Sequence, residues 1–200
     1  MVVDHLNRGL RYIPKWFVYA LLAIPAPWFL YLGLTGGLGA EPIKALEHEL
    51  GKFALQLFVT TLAITPMRRF LRINALKFRR VLGIMTFVYV GLHLLVWLVL
   101  DVQILSQIWA DIVKRPYVTI GMAGFLLLLP LALTSNDFSV RRLGPRWRII
   151  HKLTYPAAIL GVIHYIWLVK GFQLEPLIYL GIILVLLMLR IKWRPKRAVT

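Results

Sequence analysis

Long apolar segments separated by short polar stretches constrain the fold of this chain more than any other feature. Six such segments can be counted, covering residues 16–34, 52–66, 81–100, 117–133, 149–169 and 174–191. Most of them approach the roughly 20 residues that a helix needs to cross the apolar core of a bilayer. Because short loops favour antiparallel neighbours, the sequence predicts an all-α integral membrane bundle of six transmembrane helices. Residues 1–200 are expected to form this single domain.

The composition excludes several classes of protein. A hydrophobic content of 60% and a mean hydropathy of +0.74 are too high for an ordinary soluble domain. The absence of cysteine excludes disulfides, iron–sulfur clusters and thiolate ligation of heme. No dinucleotide-binding fingerprint is present, so any redox chemistry has to come from another bound cofactor and an external electron donor.

The basic residues predict the orientation of the chain in the membrane. Nineteen of the 24 lysines and arginines flank alternate apolar segments: they lie in the N-terminal tail, the 68–80 loop, the 134–152 stretch and the C-terminal tail. The opposite flanks carry six of the eight acids. By the positive-inside rule, both termini are predicted to be cytoplasmic. Because the bases accompany membrane segments, the net charge of +16 indicates topology and not nucleic-acid binding.

Two histidines are predicted to lie at the same depth on different helices. His93 is seven residues before Leu100, and His164 is six residues before Lys170. At about 1.5 Å rise per residue, both imidazoles lie roughly 10 Å inside the outer face. Ionisable side chains at that depth are costly and usually functional. Two facing imidazoles are the axial ligands of a b-type heme, so we predict that His93 and His164 bind one heme iron.

A second centre is predicted near the cytoplasmic face, at His151. This histidine precedes His164 by 13 residues, and the third segment offers Arg79 and Arg80 where a histidine partner would be expected. Two alternatives follow: a heme without a histidine sixth ligand, or a flavin whose phosphate contacts Arg79 or Arg80. A role of these arginines in topology alone is an equal alternative. Gly91 is expected to let a flat macrocycle approach the helix that carries His93.

The residues leave three classes of function open. The first is an electron-transfer subunit of an oxidoreductase complex, which is not a complete enzyme by itself, since no hydrolytic or nucleophilic constellation is visible. The second is a proton or ion transporter that uses intramembrane histidines as relay groups. The scarcity of acids within the apolar segments counts against this reading. The third is a non-redox anchor for a periplasmic enzyme.

A series of short motifs carries a family resemblance over nearly the whole chain. The motifs are Gly-Gly-Leu-Gly-Ala-Glu-Pro at 36–42, Ile-Thr-Pro-Met-Arg-Arg at 64–69, Arg-Arg-Val-Leu-Gly at 79–83, Arg-Pro-Tyr-Val-Thr at 115–119, Leu-Ala-Leu-Thr-Ser at 131–135, Arg-Leu-Gly-Pro-Arg-Trp at 142–147 and His-Tyr-Ile-Trp-Leu-Val-Lys at 164–170. In this order, the sequence resembles the MsrQ (YedZ) family of the ferric-reductase-like transmembrane superfamily.

This resemblance implies a location and a function. It implies a multi-pass protein of the bacterial inner membrane that binds heme b and FMN. The protein would take electrons from a cytoplasmic flavin reductase or the quinone pool. It would pass them to a periplasmic, molybdopterin-containing catalytic subunit of the MsrP type, which repairs oxidised methionines in proteins.

Overall fold

The computed structural model describes residues 2–169 and 171–191, and the regular structure in these residues is helical. The α-helices are α1 (Val2–Tyr12), α2 (Lys15–Ala23), α3 (Pro25–Leu34), α4 (Pro42–Phe70), α5 (Arg79–Val96), α6 (Leu105–Lys114), α7 (Pro116–Leu133), α8 (Asp137–Leu143), α9 (Pro145–Ile150), α10 (Thr154–Leu168) and α11 (Leu174–Met188). Two 3₁₀ turns (Leu76–Phe78 and His151–Leu153) and a π-helix (Trp97–Val102) complete the regular structure. The predicted all-α class is confirmed.

Five helical stretches are long and apolar enough to cross a membrane. They are Lys15–Leu34, Pro42–Phe70, Leu76–Val102, Pro116–Leu133 and Pro145–Leu168. The sixth predicted segment, at 174–191, is the apolar helix α11, which has only 15 residues in the part of the chain that the structure describes. The sixth span and the cytoplasmic position of both termini therefore stay predictions.

Helix α4 lies at the centre of the bundle because two of its faces are buried. Leu50 and Leu57 pack with α5 on one side, where α3 packs against α4 and α2 packs against α5. Leu55 and Leu62 pack with α7, α10 and α11 on the other side. With 29 residues, α4 is much longer than the predicted segment 52–66. Its additional first turns lie at the end of the bundle that is predicted to face the periplasm.

A proline break in the first span is closed by a side chain from another helix. Pro25 separates α2 from α3, since proline has no N–H to continue the helical hydrogen bonds. The Tyr89 hydroxyl of α5 donates to the Leu22 carbonyl at 2.7 Å and accepts the Ala26 N–H at 3.0 Å. Tyr89 is completely buried. It therefore satisfies the interrupted backbone and fixes the first span against α5.

The second internal proline is compensated in the same way. Pro66 lies inside α4 and removes the N–H that would bond to the Leu62 carbonyl four residues earlier. The guanidinium of Arg190, just after α11, donates to this carbonyl through Nη2 at 2.6 Å. The contact fixes the chain just after α11 to α4, and the pairing matters because an unpaired carbonyl is costly in apolar surroundings.

Two of the predicted helices are interrupted next to histidines. The segment 149–169 divides into α9, a 3₁₀ turn that begins at His151, and α10. Pro156 falls in the first turn of α10, where a proline is tolerated, so the interruption comes before it. After His93, α5 continues as the π-helix Trp97–Val102 and ends at Gln103, which has φ of 61°. Wide helical turns of this kind often occur at functional sites.

The bridging role of Tyr89 can be tested by removing its hydroxyl. We expect Tyr89→Phe to lower the free energy of unfolding by about 1–2 kcal/mol, because the Leu22 carbonyl and the Ala26 N–H lose their partner inside the bundle. The measurement is reversible unfolding in mixed micelles. Tyr31→Phe is the matched control, since Tyr31 is exposed. Equal stability of both variants would contradict the bridge.

Candidate cofactor site

The two histidines predicted to share a depth lie next to each other inside the bundle, with their rings in an edge-on arrangement. The imidazole centroids of His93 on α5 and His164 on α10 are 6.1 Å apart, and the ring planes are inclined by 82°. Both side chains are largely buried. The predicted proximity of this pair is confirmed, whereas its role as a ligand pair stays a prediction.

Each imidazole is held by one backbone carbonyl of a neighbouring helix. Nδ1 of His93 lies 2.9 Å from the carbonyl oxygen of Glu47 in α4, and Nδ1 of His164 lies 2.7 Å from that of Tyr117 in α7. Since a carbonyl oxygen only accepts, Nδ1 donates in both cases and carries the ring proton. The lone pair of Nε2 is then available on both rings, which is the state that binds a metal.

Both rings rest against a glycine four residues after the accepting carbonyl. A Cβ atom at Gly51 would lie 3.0 Å from Nδ1 of His93, and one at Gly121 would lie 2.7 Å from Nδ1 of His164. The imidazole thus occupies the space where a side chain would begin. We call each glycine, with the carbonyl four residues before it, a histidine seat. The seats are Glu47/Gly51 in α4 and Tyr117/Gly121 in α7.

A cavity of about 590 Å³ surrounds the pair between α4, α5, α7 and α10. Its inner part is lined mainly by apolar side chains and glycines, whereas polar and charged residues lie towards its outer end. The inner lining includes Ala54, Leu55, Phe58, Val90, Leu94, Gly124, Phe125, Leu128, Ala157 and Gly161. The outer lining includes Lys44, Glu47, His48, Asp101, Arg115 and Gln173. The volume falls within the roughly 300–1,000 Å³ of typical small-molecule and cofactor sites.

The geometry of the pair fits a metal held between the two rings. With metal–nitrogen bonds of about 2 Å on both sides, the two imidazole centroids would lie roughly 6 Å apart, as His93 and His164 do. Within residues 2–169 and 171–191, no group of three or more histidines, cysteines or carboxylates is placed to hold a metal ion. A heme needs only two protein ligands because its porphyrin supplies four nitrogens. The residues present therefore fit a heme.

His151 lies outside the cavity lining and is engaged by other groups. Its ring stacks on Trp147 with a centroid distance of 3.8 Å. Its Nε2 lies 3.1 Å from the Thr134 hydroxyl, which itself donates to the Pro130 carbonyl. The Thr134 oxygen can therefore accept only from a protonated Nε2. In this arrangement Nε2 of His151 is not available to a metal, and the second centre stays a prediction.

The two arginines predicted to accompany His151 differ in their surroundings. Both lie near enough to act on its ring electrostatically. Arg80 forms an ion pair with Asp137 at 2.7 Å, and this contact lowers the pKa of the Asp137 carboxyl. Arg79 has no carboxylate within ion-pair distance among the described residues. Neither arginine lines the cavity around His93 and His164.

The residues that position the histidines are not predicted from the sequence. Gly51 and Gly121 belong to none of its motifs, although small residues in apolar helices often mark close helix contacts. Gly91, expected to admit a macrocycle, does not line the cavity, and a Cβ added there would meet nothing within 4 Å. This expectation was wrong because Gly91 and His93 are two residues apart and point to different faces of α5.

Comparison with known families defines the class of this protein. The family model described as "Ferric reductase like transmembrane component" matches residues 49–162, which include His93 and His151. The match covers more than half of the chain and includes most of the four helices around the cavity. No solved structure is significantly similar to the chain.

Curated relatives narrow the class further. A protein of Brucella anthropi is 47% identical over 177 residues, which cover 88% of this chain and 80% of the relative. A protein of Agrobacterium fabrum is 47% identical over 180 residues, covering 88% and 84%. Both are named protein-methionine-sulfoxide reductase heme-binding subunit MsrQ. The chain therefore belongs to the MsrQ family of ferric-reductase-like transmembrane proteins.

Proposed function

We propose that this protein is the heme-binding membrane subunit of a methionine sulfoxide reductase system and transfers electrons to its catalytic subunit. The observation that carries the proposal is the pair of adjacent imidazoles, each oriented by a backbone carbonyl so that Nε2 is available. The names of the relatives give the system in which such a subunit works.

The residues of the chain would perform three tasks in this function. His93 and His164 would hold the heme iron, and the two histidine seats would fix the ring orientations. When bound, a b-type heme supplies a one-electron iron couple. Apolar residues such as Leu55 and Phe58 would exclude water from the macrocycle and lower the local dielectric constant.

The position of the site supports a direction of electron transfer. The cavity extends to Glu47, His48 and Asp101, which belong to the flanks that are poor in bases. By the positive-inside rule, these flanks face the periplasm. A heme at this end would lie close to a periplasmic acceptor, which we propose to be a molybdopterin-containing catalytic subunit. The donor on the other side would be a cytoplasmic flavin reductase or a quinone.

A second centre near His151 belongs to the same proposal. To bind iron through Nε2, His151 would have to exchange its contact with Thr134 for the metal. A flavin needs no such exchange, because Arg79 or Arg80 could receive its phosphate. FMN, which the family resemblance implies, is therefore the simpler occupant of the cytoplasmic end.

The ligand assignment can be tested by replacing each histidine with alanine. We expect the purified wild-type protein to show a low-spin bis-imidazole heme spectrum, and His93→Ala and His164→Ala each to lose it. His48→Ala is the control, since His48 lines the outer part of the cavity but is exposed. A wild-type spectrum in both single variants would show that the assignment is wrong. A colourless wild-type protein would favour the transporter or the anchor.

The histidine seats predict a specific effect of one added methyl group. We expect Gly121→Ala to weaken heme retention or change the axial coordination, because its Cβ would lie 2.7 Å from Nδ1 of His164. Gly161→Ala is the matched control, since Gly161 lines the same cavity and a Cβ there meets nothing within 4 Å. Heme content per protein and the visible spectrum are measured. Equal heme content and spectra in the two variants would contradict the seat.

The orientation is tested independently of the cofactor. With 19 of 24 bases on one set of flanks, we expect both termini to lie in the cytoplasm. A C-terminal reporter that is active only in the periplasm should therefore be silent, and one fused after Gly171 should be active. The reverse result would invert the membrane topology and, with it, the direction of electron transfer.

A further inference from the structure

The guanidinium of Arg190, at the predicted cytoplasmic end of the bundle, is only partly hydrogen-bonded. Its Nη2 donates to the Leu62 carbonyl at 2.6 Å, and its guanidinium carbon lies 5.7 Å from the Tyr155 ring centroid. Its Nε is buried and has no hydrogen-bond partner among the described residues. A buried donor that belongs to a charged group is costly when it is left unpaired.

A second guanidinium lies beside this one. Arg79, the first residue of α5, is close enough to Arg190 and to Tyr155 for their charges to interact. Among the described residues, the Arg79 guanidinium makes no hydrogen bond and no ion pair with a carboxylate. Arg190 thus lies against the Tyr155 ring of α10, and Arg79 lies within electrostatic range of both.

Among residues 2–169 and 171–191, no ion pair is seen between a carboxylate and either guanidinium of this cluster. Asp137, an acid of the predicted cytoplasmic flanks, is paired with Arg80 instead. Two neighbouring guanidiniums without a counter-ion repel each other and favour an added anion.

We propose that Arg79 and Arg190, with the Tyr155 hydroxyl, form a binding site for a phosphate group at the cytoplasmic end of the bundle. Guanidinium groups bind phosphate through short, charge-assisted and often bidentate hydrogen bonds. The Nε of Arg190, which has no partner among the described residues, is the donor that such a bond would satisfy. The phosphate comes either from an anionic lipid headgroup or from a soluble phosphate monoester, because the site adjoins both the membrane surface and His151.

This site differs from the pair Arg79/Arg80 that the sequence suggests. Arg80 already has a carboxylate partner, whereas Arg190 is remote in sequence and is brought to Arg79 only by the packing of α11 against α4. The inference deepens the proposed second centre, on which its FMN alternative rests, but it does not depend on the heme pair. Its failure would leave the assignment of His93 and His164 untouched.

The experiment compares probes with and without phosphate on the purified, delipidated full-length protein. The pairs are FMN with riboflavin and phosphatidylglycerol with diacylglycerol, and the readout is the shift of the unfolding temperature, since a ligand of the folded state stabilises it. We expect at least one phosphate-bearing probe to raise the unfolding temperature more than the matched probe without phosphate does. Arg79→Gln and Arg190→Gln should lose this difference, whereas Arg148→Gln, which changes an exposed arginine of α9, should retain it.

Each outcome decides the proposal. A difference only for FMN identifies a soluble phosphate monoester, and one only for phosphatidylglycerol identifies a lipid headgroup. No phosphate-dependent shift in the wild type overturns the site, and so does an undiminished shift in Arg79→Gln. Arg79→Gln is decisive because it breaks no hydrogen bond among the described residues, whereas Arg190→Gln also removes the bond to Leu62. Arg190→Lys, which keeps the charge but not the planar guanidinium, should weaken the shift.

Discussion

In apolar surroundings every backbone N–H and carbonyl has to find a partner within the protein, and the arrangement of this bundle depends on that requirement. Pro25 and Pro66 each disturb the backbone pairing of a long helix. Side chains from elsewhere restore the pairing: Tyr89 at the first break and Arg190 at the second. The breaks thereby become points of attachment, because the repair of one helix fixes the position of another.

The histidine pair uses the same chemistry for a different purpose. His93 and His164 donate to carbonyls in neighbouring helices, so each ring is oriented by backbone rather than by a mobile side chain. Gly51 and Gly121 provide the space that this approach needs. The two histidine seats, in α4 and α7, make the rings rigid on both sides of the cavity. A site whose ligands are already oriented loses little conformational freedom when it binds its cofactor.

The sequence predicts the features that depend on position along one helix and misses those that depend on helix pairing. The shared depth of His93 and His164 follows from helical rise and charge, and the two rings do lie next to each other. The seats at Gly51 and Gly121 depend on which helices are neighbours, which no local pattern reveals. The 3₁₀ turn at His151 is also not predicted by the continuous apolar segment 149–169. Likewise, α11 in the described residues is shorter than the predicted apolar segment 174–191.

The π-helix Trp97–Val102 has a consequence for how such a protein can diversify. It lies between His93 and α6, and a π-turn accommodates more residues than an α-turn does. Insertion or deletion of a residue in this π-helix would rotate the following segment, which leads to α6, about the axis of α5. The His93 imidazole, which precedes the π-helix, would not rotate. The orientation of this exposed segment can therefore change while His93 keeps its place. In evolutionary terms, the π-helix allows the surface of the molecule to vary independently of the buried histidine pair.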